Sequence, residues 1–336
     1  MKRPRVLVLS GPTLFRSFFD RPRERRLGRG FAWMRVAGER VTPRLRRLLA
    51  DADALVTTWD SPKFGEELLS LAPRLRLVAH CGGEVKARFA RPLFERLVIA
   101  NAPGPMAERV AELAVTFVLM AARRVDAYRE ALRRPSNRIY ARLHLGGAGN
   151  ETLRGRGVGI LGFGRIGRET ARLLRPFGPR LLGHDPYLAS STLRGRGVVS
   201  LSLRRLLRES EFLIVAAGLT AGTRGLLDRK ALRLLPNGAT VVNVARGGIV
   251  DLPALTAEVR SGRLRCALDV TDPLEPLPVR HPLRRMRGAV VTPHVGAAAV
   301  EVRRAMADIV LDALEHCFRG ERVATRVTPR MLERMT

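Results

Sequence analysis

Short runs of aliphatic and β-branched residues alternate along this chain with stretches whose apolar positions recur every three or four residues. In the first hundred residues, Arg5 to Ser10, Ala54 to Thr58, Leu75 to His80 and Leu97 to Ala100 read as strands. Between them, Pro43 to Asp51, Gly65 to Leu71 and Val85 to Glu95 read as helices. The NAPGP segment, Asn101 to Pro105, breaks the pattern. Met106 to Val125 then holds neither Gly nor Pro and predicts a long helix with a very apolar face. The segment Asp126 to Arg156, with Pro135, Gly146, Gly147 and Gly149, is irregular and too long for a simple connection inside a compact domain. It predicts either a disordered loop or an arm that packs on a partner. A second alternation starts at Gly157, with strands at Gly157 to Leu161, Arg180 to His184, Phe212 to Ala216, Thr240 to Val244, Cys266 to Asp269 and Ala289 to Thr292, and a last helix at Ala297 to Phe318. Such alternation predicts an α/β protein built on doubly wound parallel sheets, and six strands suffice for a complete dinucleotide-binding sheet.

Composition sharpens this picture in a few places. At 336 residues, with roughly 100 to 200 residues per domain, the chain predicts two domains. Apolar residues at 46% and charged ones at 27% are those of an ordinary globular protein with a sizeable core, not of a disordered chain. The longest apolar stretch, Leu113 to Ala122, is about half of what a bilayer-crossing helix needs, so no membrane association is expected. The apolar run before Gly11 and Pro12 is too short for the core of a secretion signal. Three widely spaced cysteines, Cys81, Cys266 and Cys317, form no CxxC pair, which argues against a disulfide framework and a zinc site and for a reducing cytoplasm. The formal charge of +29 by itself points to a polyanionic partner. Its make-up argues otherwise: four of the 60 basic residues are lysines, and the arginines are spread through every segment. That distribution reads as a compositional preference rather than the clustered stripe of a specific nucleic-acid site.

Chemistry is concentrated in the second half. Residues 157–174, GVGILGFGRIGRETARLL, hold Gly162, Gly164 and Gly167 in GxGxxG spacing between a strand and a helix. The first glycine permits the tight turn, the second lets the backbone approach a diphosphate, and the third allows close packing of helix on strand. The N–H groups around Arg165 and Ile166 then face the anion. Asp185, 23 residues after Gly162, ends the next strand and is placed to accept hydrogen bonds from an adenosine ribose. A carboxylate there favours NAD over NADP, although Arg165, Arg168 and Arg194 leave some room for the phosphorylated cofactor. Three further islands, NVARGGIVD (243–251), ALDVTDPLEPLP (267–278) and TPHVGAA (292–298), each follow a predicted strand. In a doubly wound sheet, Arg246, Glu275 and His294 can therefore converge beyond the strand ends. That trio suits hydride transfer to a carbonyl. The arginine holds a carboxylate and polarises the adjacent carbonyl, and the histidine supplies the proton. The glutamate, bonded to the second ring nitrogen, favours the imidazolium form. His80 and Cys81 read as packing residues.

With these stretches in the same order as NAPGPMAERVAELAV (101–115), HDP (184–186) and LTAGTRGLL (219–227), the chain resembles the D-isomer-specific 2-hydroxyacid dehydrogenase family over nearly its whole length. The resemblance implies a Rossmann NAD-binding domain, residues 105–296, inserted into a smaller flavodoxin-like substrate domain, residues 1–104 and 297–336, with the cleft between them. It implies Arg246, Glu275 and His294 as the catalytic trio and Asp269 at the nicotinamide carboxamide, with Thr223 and Ala245 helping to line the cofactor site. It implies a small 2-oxo or D-2-hydroxy acid as the substrate and a homodimer formed through the nucleotide domain. Glyoxylate or hydroxypyruvate reduction and 3-phosphoglycerate oxidation are the named substrate readings. The absence of room for a regulatory domain beyond residue 336 weakens the last. A nicotinamide-binding corepressor built on the same fold is the alternative function. Three departures stand out. The family's GVGxD carboxylate loop is here HCGGEVK (80–86), where Gly82 and Gly83 keep the donor logic of an anion-binding nest. Glu275 follows Asp269 by six residues where five are common, which makes Asp272 a rival partner for the histidine. The usual His and Pro near Ala216 to Gly218 are absent.

Overall fold

The computed structural model describes residues 3–133, 144, 151–333 and 335, and the chain divides into two compact units. The first unit comprises Met1–Met106 and Ala298–Thr336, the second Ala107–Ala297. No helix among the described residues is long and apolar enough to cross a membrane.

Five parallel strands form the sheet of the first unit: β1 (Arg5–Leu9), β2 (Ala32–Val36), β3 (Ala54–Thr57), β4 (Leu77–His80) and β5 (Val98–Asn101), in the order β2-β1-β3-β4-β5. β3 and β4 are buried at every position, as expected where helices cover both faces of a parallel sheet. Phe15, Phe18 and Leu27 pack on one face with Met306, Leu311 and Leu314 of the helix Val300–Arg319; Leu49, Leu68, Leu93 and Phe94 fill the other.

Three helices and a strand here were not expected from periodicity. The helix Arg21–Gly30 buries Leu27 alone, so it carries almost no apolar signal. It is fixed by Asp20, whose side chain accepts the Arg23 N–H, and by tertiary ion pairs of Arg23 with Asp308 (2.5 Å) and of Arg26 with Asp312 (2.6 Å) and Glu315 (2.7 Å). The helix Pro12–Phe18, the one-turn helix Pro329–Leu332 and the largely exposed edge strand β2 complete the set. The helix expected over Val85 to Glu95 shrinks to Leu93–Arg96. Phe89 pairs instead with Phe64 in a parallel bridge, with the Phe64 N–H donating to Arg88 O at 2.8 Å and the Ala90 N–H to Phe64 O at 3.0 Å. Val85, Phe89 and Phe94 are still buried, so the apolar spacing marked burial and not the backbone state.

In the second unit the strands β6 (Gly157–Leu161), β7 (Arg180–His184), β8 (Val199–Ser200), β9 (Phe212–Val215), β10 (Thr240–Asn243), β11 (Arg265–Leu268) and β12 (Ala289–Val291) form a parallel sheet in the order β12-β11-β10-β9-β6-β7-β8. The six expected strands are present, and the seventh is a two-residue edge. Strand order reverses between β6 and β9, which marks the crevice where such sheets bind ligands. Phe117 and Val118 of the helix Gly104–Ala122 pack against Ile160, Ile214 and Val242. The segment expected to be irregular from Asp126 begins with the helix Val125–Leu132. The rest of the expected arm, residues 134–143 and 145–150, lies outside the described residues.

Candidate active site

The glycine turn after β6 has the geometry its spacing requires. Gly162 has φ +89°, and a Cβ there would lie 2.5 Å from Ala217 Cα, so the close approach of β6 to the chain after β9 admits no side chain. A Cβ on Gly167 would lie 2.2 Å from Gly162 O, which holds the helix Arg165–Leu174 tight against the turn. Gly164 differs. Nothing lies within 4 Å of its Cβ position, and it heads the helix with no side-chain cap. The N–H groups at Arg165 and Ile166 are therefore left without a side-chain cap at the positive end of the helix. Asp185, just past β7, accepts the Phe163 N–H on Oδ2 (2.8 Å) and the Tyr187 N–H on Oδ1 (3.0 Å), which ties the acid to the turn. An open glycine, an uncapped helix start and a fixed carboxylate fit a dinucleotide. Beyond β9, the Thr223 hydroxyl accepts the Thr220 N–H (2.8 Å) and donates to Gly218 O (2.7 Å), closing the next loop.

The turn after β10 presents Arg246. Asn243 shapes it: its Oδ1 accepts the Ala245 N–H (3.1 Å) and its Nδ2 donates to Arg246 O (2.9 Å). Ala245 is buried, and its carbonyl accepts from Arg246 Nη1 (2.8 Å). A Cβ on Gly247 would lie 2.1 Å from Thr271 C, so the Arg246 turn is pressed against the loop that follows β11.

That loop starts with Asp269, 2% exposed, whose carboxylate accepts the Thr292 hydroxyl (2.5 Å), the Val295 N–H (2.8 Å) and the Gly296 N–H (2.9 Å). Its backbone carbonyl accepts the His294 N–H (2.8 Å). These four bonds hold His294 at φ +55°, a left-handed conformation that non-glycine residues rarely adopt. In this position His294 Nδ1 lies 2.5 Å from Glu275 Oε1, and the imidazole remains 48% exposed, with Nε2 available to a ligand. Glu275 Oε2 accepts the Thr271 N–H (3.2 Å). Of the two acids proposed for the histidine, Glu275 is thus the one in contact; the longer spacing from Asp269 is absorbed within 271–274.

Arg246, Asp269, Glu275 and His294 therefore lie at the carboxyl ends of the adjacent strands β10, β11 and β12, and the glycine turn and Asp185 at those of β6 and β7. Gly82 and Gly83 lie in the first unit, past β4. The Gly82 N–H donates to His80 O (2.8 Å), and Gly83 O accepts Asn101 Nδ2 (2.7 Å). Gly82 is a glycine for a second reason: a Cβ would sit 2.4 Å from His80 Nε2. His80 is fully buried, with Nδ1 2.9 Å from the Thr57 hydroxyl. Burial, assisted by the nearby Arg88 charge, pushes it down to about 3, so the ring is neutral. Burial also pushes the Cys81 thiol well above its usual range, which leaves it unreactive. Asn243, Thr271 and Thr292 were not singled out from the sequence. Their value lies in bonds to turns, and nothing in spacing announces such bonds, although Asn243 opens the NVARGG island and Thr292 the TPHVG island.

Residues 115–296 match the family model of the D-isomer specific 2-hydroxyacid dehydrogenase, NAD binding domain. The chain is 34% identical over 300 residues to the D-3-phosphoglycerate dehydrogenase of Mycobacterium leprae, with 85% of this chain and 53% of that one covered. It thus spans about half the length of the phosphoglycerate dehydrogenases it matches. It is 33% identical to the glyoxylate reductase of Aeropyrum pernix, with 99% of this chain and 97% of that one covered. Among solved structures, a phosphoglycerate oxidoreductase from Rhizobium etli superposes with a TM-score of 0.78 at 27% identity, covering 97% of this chain and 98% of that one. With half of its residues matched by the family model and a relative aligned from end to end, the chain belongs to the D-isomer specific 2-hydroxyacid dehydrogenase family.

Proposed function

We propose that the protein is an NAD(H)-dependent oxidoreductase that interconverts a small 2-oxo acid and the corresponding D-2-hydroxy acid. The observation that carries this reading is the His294–Glu275 pair, held at a strand end of the same sheet that presents the open glycine turn. When bound, the nicotinamide supplies the hydride for reduction and accepts it in oxidation. Arg246 holds the substrate carboxylate, and its charge draws electron density from the neighbouring carbonyl. His294 Nε2 gives its proton to the carbonyl oxygen as the alcohol forms and recovers it in the reverse direction. Glu275, on Nδ1, orients the ring and stabilises its charged form. Gly162, Gly164, Arg165, Ile166 and Gly167 would hold the diphosphate and Asp185 the adenosine ribose, with Thr223, Ala245 and Asp269 toward the nicotinamide end. In the first unit, the Gly83 N–H has no partner among the described residues, whereas the Gly82 N–H already serves His80 O.

Three finer assignments belong to the same proposal. Glyoxylate heads the substrate panel because the match to a glyoxylate reductase runs through nearly all of both chains. A homodimer through the second unit accords with the exposed Val125 and Leu132 on one short helix. A reducing compartment accords with three buried cysteines that form no disulfide. No contact in the site favours the corepressor alternative.

The experiment is a panel of 2-oxo acids with NADH and NADPH, followed by the absorbance of the reduced nicotinamide, with His294→Ala and Arg246→Ala alongside. NADH preference and a collapse of turnover in both variants are expected. Full turnover in His294→Ala would remove the proposed proton donor. Sedimentation of the wild-type chain at micromolar concentration tests the dimer.

A further inference from the structure

Glu275 reaches His294 from the loop DPLEPLP, in which residues 272–276 are exposed and give the carboxylate little packing. Leu277 anchors the far end of the loop, and Thr271 ties the part that precedes Glu275. Thr271 is buried, and its hydroxyl donates to Leu274 O at 2.6 Å, closing the four residues that immediately precede Glu275 into one turn. Its backbone N–H donates to Glu275 Oε2 at 3.2 Å, on the carboxylate whose other oxygen meets His294 Nδ1 at 2.5 Å. Its carbonyl side is packed against Gly247, where a Cβ would lie 2.1 Å from Thr271 C and 2.4 Å from Thr271 O. One residue thus closes the turn, steers the carboxylate and abuts the turn that carries Arg246.

We propose that Thr271 is a positioning residue for the His294–Glu275 pair, acting through its hydroxyl bond to the Leu274 carbonyl and its N–H bond to the Glu275 carboxylate. The proposal rests on the dehydrogenase reading for its kinetic consequence and not for its structural one. Asp272, Pro273 and Leu274 are exposed, so little packing replaces the hydroxyl when it is removed. Without that tie, the loop samples positions in which Glu275 Oε1 is out of reach of the imidazole. The fraction of productive pairs falls by the twofold to roughly tenfold that a neutral hydrogen bond represents.

The test compares Thr271→Val, which keeps the shape and loses the hydroxyl, with Thr271→Ser, which keeps the hydroxyl. In the ligand-free protein, the downfield proton resonance of the His294 Nδ1–H bonded to Glu275, assigned by its loss in Glu275→Gln, reports the pair directly. The expected result is a weakened or exchange-broadened signal in Thr271→Val and a wild-type signal in Thr271→Ser. In turnover, kcat falls by about twofold to tenfold in Thr271→Val with KM for NADH unchanged, and Thr271→Ser restores it. Thr271→Ala, which adds no bulk, must repeat both losses even where Thr271→Val folds poorly. An unaltered resonance in Thr271→Val and Thr271→Ala overturns the proposal, as does failure of serine to rescue. A wild-type chain that reduces no 2-oxo acid, yet shows the predicted resonance changes, sinks the enzyme reading and leaves the positioning role standing.

Discussion

Replacing Asp269 by asparagine tests how the proposed proton-transfer group, His294, is held. The side chain keeps its size, and an amide oxygen at the Oδ1 position still accepts from Thr292 and Val295. The amide nitrogen at the Oδ2 position then faces the Gly296 N–H, which sits 2.9 Å from that oxygen in the native protein. One bond to a charged acceptor is lost and two donors are opposed. With bonds to charged groups contributing about 1.5–3 kcal/mol each, and the buried mismatch added, the cost to the turn is about 2–4 kcal/mol. The left-handed His294 backbone itself costs about 1–3 kcal/mol and persists only while its surroundings over-determine it. The two magnitudes are comparable, so the turn relaxes and the imidazole leaves its place against Glu275. At about 1.4 kcal/mol per decade, kcat should fall by about 30- to 1000-fold. Asp269 is also assigned to the nicotinamide end, and a companion variant separates the two roles. Thr292→Val removes the hydroxyl bond to Oδ1, made at 2.5 Å, while leaving the carboxylate intact for a cofactor. It should lower kcat about tenfold with little change in NADH affinity, read from the fluorescence of the bound cofactor. If Thr292→Val turns over like wild type and Asp269→Asn alters NADH affinity alone, the carboxylate serves only the cofactor and the account of the turn is wrong.

Other outcomes follow from the same geometry. Gly162→Ala should weaken NADH binding by at least tenfold, because a left-handed non-glycine residue costs about 1–2 kcal/mol and the new methyl overlaps the Ala217 backbone; affinity within twofold of wild type would show that the turn can yield. Glu275→Gln should lower kcat by about 100-fold, and Asp272→Asn should leave it within twofold, since Glu275 contacts the imidazole; the reverse pattern would reassign the orienting acid. His80, held near 3 by burial, binds its proton less readily folded than unfolded, so the unfolded chain takes up the proton first as pH falls below about 6.5. Stability associated with the neutral ring is complete above that value and is lost progressively toward pH 3. Chemical denaturation of His80→Asn should therefore show a shallower acid decline than wild type, and parallel declines would mean that His80 is not the group responsible.

The elements that sequence made legible are those whose information is local. The GxGxxG spacing, the acid after β7 and the strand-end islands named Gly162, Asp185, Arg246, Glu275 and His294, because turn geometry and strand-to-helix alternation depend on near neighbours in the chain. Burial was legible too: Val85, Phe89 and Phe94 carry a helical spacing and are all buried, although the backbone there pairs with Phe64 instead of coiling. What tertiary structure alone decided was partnership. The helix Arg21–Gly30 is capped locally by Asp20, but the acids that pair with its arginines lie nearly 300 residues away, and no window of sequence holds both sides of those ion pairs. The choice of Glu275 over Asp272 depended on how a loop folds back onto Thr271, and the glycine at 82 on a histidine ring that occupies the space of its missing side chain. Residue types fixed what chemistry was on offer; hydrogen bonds between distant segments, which are directional and short-ranged, determined which groups meet.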